Sequence, residues 1–408
     1  MSLSKLAINI AESPTLALNS KAKALLAKGE PVIHLGAGEP KSKVPASAIL
    51  SAAANLTTGE IRYTPTRGIP TLLDAIVSYT EIHYGKTVSP KNVVVSAGAK
   101  QAIYNLMMTL LNPQDEVILI APYWVSYPEI VKMLYGVPVV VQPPKGSFEP
   151  NLDDIKARVN DKTKAIIVNS PNNPSGAMYS AKFIRDIVAY CEEKEIYIIM
   201  DDIYHKLVFD NKTWPSPFAG ANDDFNKSYL IIVNGVSKLY AMTGFRIGWT
   251  VANEDICKVM NNVAAQNTSC PSIVQQTAAV GALNGDQANV ENLRLTLENN
   301  RDIMINELRS FPKVKITPPD GTFYCLPDFS AYLGDRMKNS NEMSKFLLER
   351  ALLVTVPGGE FGLEGHLRLS YCGSVKDIVE GVARIKWALD PNSPDEIYIG
   401  DKKVKRDW

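Results

Sequence analysis

The chain has 408 residues, 46% of them hydrophobic and 21% charged, and its 43 Lys and Arg balance 43 Asp and Glu. Zero formal net charge excludes the strongly basic surface of a dedicated nucleic-acid or anionic-membrane binder. The length allows two or three domains and a sizeable buried core. Five cysteines, at 191, 257, 270, 325 and 372, form no C-x-x-C pair, and the four histidines, at 34, 83, 205 and 366, are far apart. Neither a disulfide framework nor a metal site is expected, and a reducing, cytoplasmic setting fits best. Residues 1–29 lack a basic start followed by an unbroken apolar stretch, so no secretory signal is read there. The apolar runs are far shorter than the ~18 residues of a membrane span.

In chain order, residues 1–46 are too few to fold alone and are expected to pack with the C-terminal part. Short β-branched runs then recur at 93–96, 117–120, 137–141, 165–169, 196–200, 230–234 and 247–251. Continuous apolar runs of this length indicate strands buried on both faces. Between them, 101–111 and 183–193 show the three- and four-residue apolar spacing of amphipathic helices. Strands alternating with helices predict an α/β fold with a mostly parallel, seven-stranded sheet. From 289 onwards the pattern changes to α+β. A long helix over 290–308 precedes strands near 314–317 and 322–326, a helix over 342–350, and strands at 353–356 and 366–371. The reading is a large domain of residues 47–288, a smaller domain of 1–46 with 289–390, and a polar tail or docking segment, 391–408.

In open parallel sheets ligands bind beyond the carboxyl ends of the strands, so the chemistry is sought just after each run. After the first run, Gly98-Ala99-Lys100 opens a helix, where small residues and free N–H groups suit an anion such as phosphate. The fourth ends in Asn169-Ser170-Pro171-Asn172-Asn173-Pro174, a rigid turn that can aim amide groups at a ligand. The fifth is followed by Asp201, Asp202 and Tyr204, and a carboxylate buried at a strand end calls for a cationic partner. After the sixth come Ser237-Lys238 and, further on, Arg246. A lysine in such a place, beside other cations and out of water, suits a Schiff-base amine. Phosphate turn, acidic strand end, lysine and arginine on one sheet edge together specify a pyridoxal phosphate site. Gly36-Ala37-Gly38 is not a dinucleotide loop, because Glu39-Pro40 follows where a helix should open.

Gly38-Glu39-Pro40, PYWVSYPE at 122–129, NSPNNP at 169–174 and SK followed by MTGFRIG at 237–248 carry a family resemblance. The sequence resembles the class I aminotransferases of fold type I, and among them the bacterial aspartate and aspartate/prephenate branch, from about residue 13 to 388. The resemblance implies a homodimer with shared active sites that moves an amino group from an L-amino acid, aspartate foremost, to 2-oxoglutarate. It implies that Lys238 forms the Schiff base with pyridoxal phosphate and that Asp201 pairs with the pyridinium nitrogen. Tyr204 and Asn173 would bind the phenolic oxygen, and Trp124 would stack on the ring. Gly98, Ala99, Lys100, Ser237 and Arg246 would cradle the phosphate, with Tyr63 reaching it from the other subunit. Arg368 would clamp the substrate α-carboxylate, beside a backbone N–H of Gly38. Lys100 and Thr15 match positions that contact a distal carboxylate. Lys41, Lys43 and Arg67 depart from the family pattern. They are read as solvated surface charge, or, if they face the site, as groups favouring anionic substrates. A same-fold lyase and an aromatic, prephenate or methionine aminotransferase stay open as alternatives. A regulatory protein of the same fold would need a DNA-binding segment, for which the match leaves no room.

Overall fold

The computed structural model describes residues 3–8, 10 and 14–408, without the side chains of 14–17 and 19. Seven strands form one sheet: β1 (Val93–Ser96), β2 (Glu116–Ile120), β3 (Val137–Val141), β4 (Thr163–Asn169), β5 (Tyr197–Asp201), β6 (Leu230–Gly235) and β7 (Gly248–Val251), in spatial order β1-β7-β6-β5-β4-β2-β3. All pairs are parallel except those of β7, which runs antiparallel to both neighbours. Ser96, Gly248 and Gly235 therefore lie side by side, and Asn169 lies beside Asp201. One sheet edge collects the carboxyl ends of β1, β4, β5 and β6.

The strands are apolar throughout because both faces are covered. Val94, Leu119, Ile167, Ile199 and Val233 pack against Ile103, Leu106 and Met107 of the helix Ala99–Leu110. Val95, Ile118, Ile166, Ile198 and Trp249 belong to the opposite face, with Ile184 and Ile187 of the helix Ala181–Lys194. Period-two alternation thus sends neighbouring side chains into different cores. The Ala181–Lys194 helix is capped by Ser180, whose side chain accepts from the Phe183 N–H.

Beyond the long helix Ala288–Arg309, the strand Leu367–Ser370 lies between Val356–Pro357 and Tyr324–Cys325, antiparallel to both. The segment Ile33–His34 pairs in parallel with Leu353–Val354, so the N-terminal segment completes C-terminal structure. The strand expected over 314–317 is reduced to an isolated bridge between Lys315 and Asp328. Pro318 and Pro319 follow at once and cannot donate to a ladder.

The last residues are not a loose polar tail. Glu396–Ile399 and Lys402–Lys405 form a hairpin whose turn carries Gly400 at φ +61°. The Trp408 ring lies 5.1 Å from Trp387 and 5.4 Å from Phe346, and Lys402 pairs with Glu30 at 2.8 Å. Trp408→Ala should cost about 1–3 kcal/mol, since a half-buried indole loses contact area and two edge-on ring partners. Denaturant unfolding measures this, and an unchanged midpoint would show that the hairpin contributes no stability.

Candidate active site

A cavity of about 450 Å³ opens at the carboxyl edge of the sheet. Gly38, Ala99, Lys100, Trp124, Asn173, Asp201, Tyr204, Ser237, Lys238, Arg246 and Arg368 all line it. Segments far apart in sequence meet there because each follows a strand of the same edge or belongs to the sheet around Leu367–Ser370.

Asp201 is the last residue of β5 and only 5% exposed. Its Oδ2 accepts from the Tyr127 hydroxyl at 2.5 Å, while its Oδ1 is buried with no partner. Burial raises the carboxyl to about 6, against the hydrogen bond from Tyr127. Behind it, Asn169 Nδ2 donates to the Asp201 carbonyl at 2.7 Å, and Asn169 Oδ1 accepts from the Asn173 N–H at 2.8 Å. The NSPNNP turn and the acidic strand end are thereby locked together. Asp202, one residue on, is fully buried, and its carboxyl faces Tyr84 instead.

Lys238 Nζ donates to the Gly38 carbonyl at 2.6 Å. Loss of hydration, then the Arg368 guanidinium, lowers the amine to about 8. Gly38 therefore offers its carbonyl to Lys238 here, in addition to the N–H expected of it. On the other side, Gly98 adopts φ +84° at the start of the helix Ala99–Leu110. A Cβ on Gly98 would lie 2.5 Å from Arg246 Nη2, so only glycine lets that guanidinium approach the turn. Lys100 Nζ sits 4.9 Å over the Trp124 ring, and burial with the nearby Arg246 lowers its pKa. Helix N-terminus, Ser237, Lys100 and Arg246 make a corner suited to a phosphate dianion.

Arg368 is 3% exposed. Its Nη1 donates to Asn173 Oδ1 at 3.0 Å and its Nη2 to the Gly36 carbonyl at 3.1 Å, while Nε has no partner. The guanidinium lies 4.3 Å over Tyr324 and 5.2 Å over Phe361. Its plane is set and its donor fork only half filled, which suits a planar carboxylate.

Other expected residues are placed elsewhere. Tyr63 is 91% exposed and does not line the cavity. Thr15 falls in the helix Pro14–Ala27, but its side chain lies outside the described residues. Lys41 pairs with Asp377 at 3.6 Å, Arg67 Nη1 donates to the Lys91 carbonyl at 2.5 Å, and Lys43 is exposed. None of these three lines the cavity. Conversely, Tyr127, Tyr324 and Glu39 were not singled out from the sequence. Glu39 accepts from Thr243 at 2.8 Å at the cavity mouth. Tyr127 stands inside the PYWVSYPE stretch, in the first turn of the helix Ser126–Met133, with its ring edge-on to Trp124 at 5.4 Å. Among the described residues no His/Cys/Asp/Glu group could hold a metal, and no helix is long and apolar enough to cross a membrane.

The sequence pattern of the family described as aminotransferase class I and II matches residues 30–385. The chain belongs to that family. It is 40% identical over 381 residues to the Aquifex aeolicus protein named probable aspartate/prephenate aminotransferase, covering 93% of this chain and 96% of that one. It is 37% identical over 395 residues to the Bacillus subtilis aspartate aminotransferase, covering 96% and 100%. Among solved structures, the Rhizobium meliloti aspartate aminotransferase superposes with a TM-score of 0.90 at 34% identity, covering 96% and 99%. The Thermus thermophilus aspartate aminotransferase with maleate gives 0.88 at 34%, covering 94% and 98%.

The protein is a pyridoxal-phosphate-dependent aminotransferase of the fold-type I class. The cavity fits that cofactor. The orphaned Asp201 Oδ1 needs a cation, the glycine turn at the helix N-terminus needs an anion, and Lys238 is the amine between cationic groups. In the cofactor-free protein, condensation of Lys238 with pyridoxal phosphate should speed up with pH through a midpoint near 8, because only the neutral amine attacks. A midpoint at the ordinary lysine value of about 10.4 would contradict the desolvated setting.

Proposed function

We propose that the enzyme moves the amino group of L-aspartate to 2-oxoglutarate, with Lys238, Asp201 and Arg368 in the roles expected from the sequence. One observation carries the reading. A single cavity joins an amine of lowered pKa, a carboxylate with one unpaired oxygen and an arginine fork with an unfilled donor. When bound, pyridoxal phosphate supplies the electron sink that acidifies the amino acid's Cα–H. Asp201 Oδ1 would keep the ring nitrogen protonated, while Tyr127 engages the other carboxylate oxygen. Arg368 takes the α-carboxylate in its fork and so fixes which face of Cα meets Lys238. Lys238 Nζ would hold the cofactor and, as an amine of lowered pKa, would serve as general base for the Cα proton. Trp124 walls the ring, and Tyr204 with Asn173 supplies polar contacts to its edge.

The substrate class follows from charge. Four cations, Lys100, Lys238, Arg246 and Arg368, line the cavity against two carboxylates, Glu39 and Asp201. That surplus suits a phosphate plus a dicarboxylate, and the similar Thermus structure contains maleate, a dicarboxylate. Lys100 is the cation proposed for the distal carboxylate, since Lys41 and Arg67 are engaged elsewhere. Prephenate is the second reading for the acceptor, favoured by the name of the Aquifex relative. A donor panel with 2-oxoglutarate and with prephenate separates the two. A charge-assisted contact contributes roughly 1.5–3 kcal/mol. Lys100→Met should therefore lower kcat/KM for aspartate about ten- to a hundredfold and spare a neutral donor such as phenylalanine. An equal fall for both would assign Lys100 to the phosphate or the fold.

The working unit is proposed to be a homodimer. Tyr63 is exposed and does not line its own cavity, and Ile49, Leu50, Leu56 and Ile61 are 47–69% exposed in the same stretch of chain. Apolar exposure on that scale marks an interface. Residues 47–288 and 1–46 with 289–390 are taken as two domains that close on the cavity from opposite sides. Five free cysteines, four of them buried, agree with a reducing cytoplasm. Mixing Lys238→Ala with Tyr63→Ala subunits should restore part of the activity that each variant lacks, because one of the two shared sites is then intact. A fully active monomer at micromolar concentration would contradict the dimer.

A further inference from the structure

Tyr324 stands where the two halves of the cavity meet, and no role has yet been assigned to it. It lies on the strand Tyr324–Cys325, paired with Leu369 and Ser370 beside Arg368, and is 1% exposed. Its ring is the nearer of the two faces holding the Arg368 guanidinium, 4.3 Å away against 5.2 Å for Phe361. Its hydroxyl faces that of Tyr204, with the two rings edge-on and their centroids 6.1 Å apart. The same hydroxyl faces Gly38, where an added Cβ would lie 3.6 Å from it. One buried side chain thus touches the group proposed for the cofactor's phenolic oxygen and the group proposed for the substrate carboxylate.

We propose that Tyr324 is a positioning residue that couples these two sites: its hydroxyl orients Tyr204 toward the cofactor, and its ring sets the plane of Arg368. The two functions reside in different atoms, which is what makes them separable. A phenol oxygen can donate one proton and accept another. When Tyr204 turns its proton into the cavity, its oxygen is free to accept from Tyr324, and that bond makes Tyr204 a stronger donor. The guanidinium, by contrast, is held by the quadrupole and surface of the ring and needs no hydroxyl. The inference rests on the proposed function, through the assignments of Tyr204 and Arg368.

The test uses the holoenzyme and two variants. Tyr324→Phe keeps the ring and removes the hydroxyl. The pH midpoint of the bound cofactor's visible absorbance should then rise by about half a unit to one unit, the equivalent of a neutral hydrogen bond. Its Kd for an α-methyl amino acid, which has no α-proton to lose, should change less than about threefold. Tyr324→Leu removes the ring as well, and the same Kd should rise about three- to thirtyfold. A midpoint in Tyr324→Phe equal to that of the wild type overturns the coupling, as does an unchanged Kd in a folded Tyr324→Leu. If Tyr324→Leu does not fold, the Tyr324→Phe titration decides alone. Absence of any visible absorbance in the wild type would refute the cofactor assignment instead, so the two failures are distinct.

Discussion

The site depends on half a carboxylate. Asp201 ends a strand in the middle of the sheet, almost wholly removed from water, with one oxygen taken by Tyr127 and the other unpaired. An unpaired ionised oxygen in that setting costs free energy, and burial raises the carboxyl to about 6. A cation placed against Oδ1 would offset that penalty and favour the ionised form. The protonated ring nitrogen of pyridoxal phosphate is the cation proposed for this position.

The same logic of incomplete satisfaction runs through the cavity. Arg368 fills two of its donors with Asn173 and Gly36 and keeps Nε without a partner. Lys238 has a single backbone acceptor, and loss of hydration, then the Arg368 guanidinium, make it lose its proton more readily than a surface lysine. The phosphate corner differs in kind. Its attraction comes from a helix start, from Arg246, which is open to solvent, and from Lys100, whose pKa burial lowers.

Much of this was legible before any coordinates. The seven strands could be read because each carries a short apolar run, buried on both faces in all but the edge strand β3, and their order placed the ligand edge. Lys238, Asp201 and Arg246 could be read because they directly follow strands or turns of that edge. What escaped the reading shares one physical feature: its meaning lies in contacts between distant segments. Tyr324 looks like any strand tyrosine until Arg368 and Tyr204 surround it. For Lys41 and Arg67 the sequence left two readings open, surface charge first, and only the contacts with Asp377 and the Lys91 carbonyl place them away from the cavity. The hairpin near the C-terminus was missed for a different reason. Its turn, Gly400-Asp401, is a readable hairpin signal, but the strands alternate polar and apolar residues over only four positions each.

The central claim is that the unpaired oxygen of Asp201 is reserved for a cation on the cofactor, and equilibrium binding tests it most directly. In a Lys238→Ala background, where no covalent bond contributes, the affinity for pyridoxal phosphate is compared with and without Asp201→Asn. Near pH 7.5 the account predicts that the amide weakens binding about ten- to a hundredfold, the equivalent of one charge-assisted hydrogen bond. Equal affinity in the two proteins would contradict it.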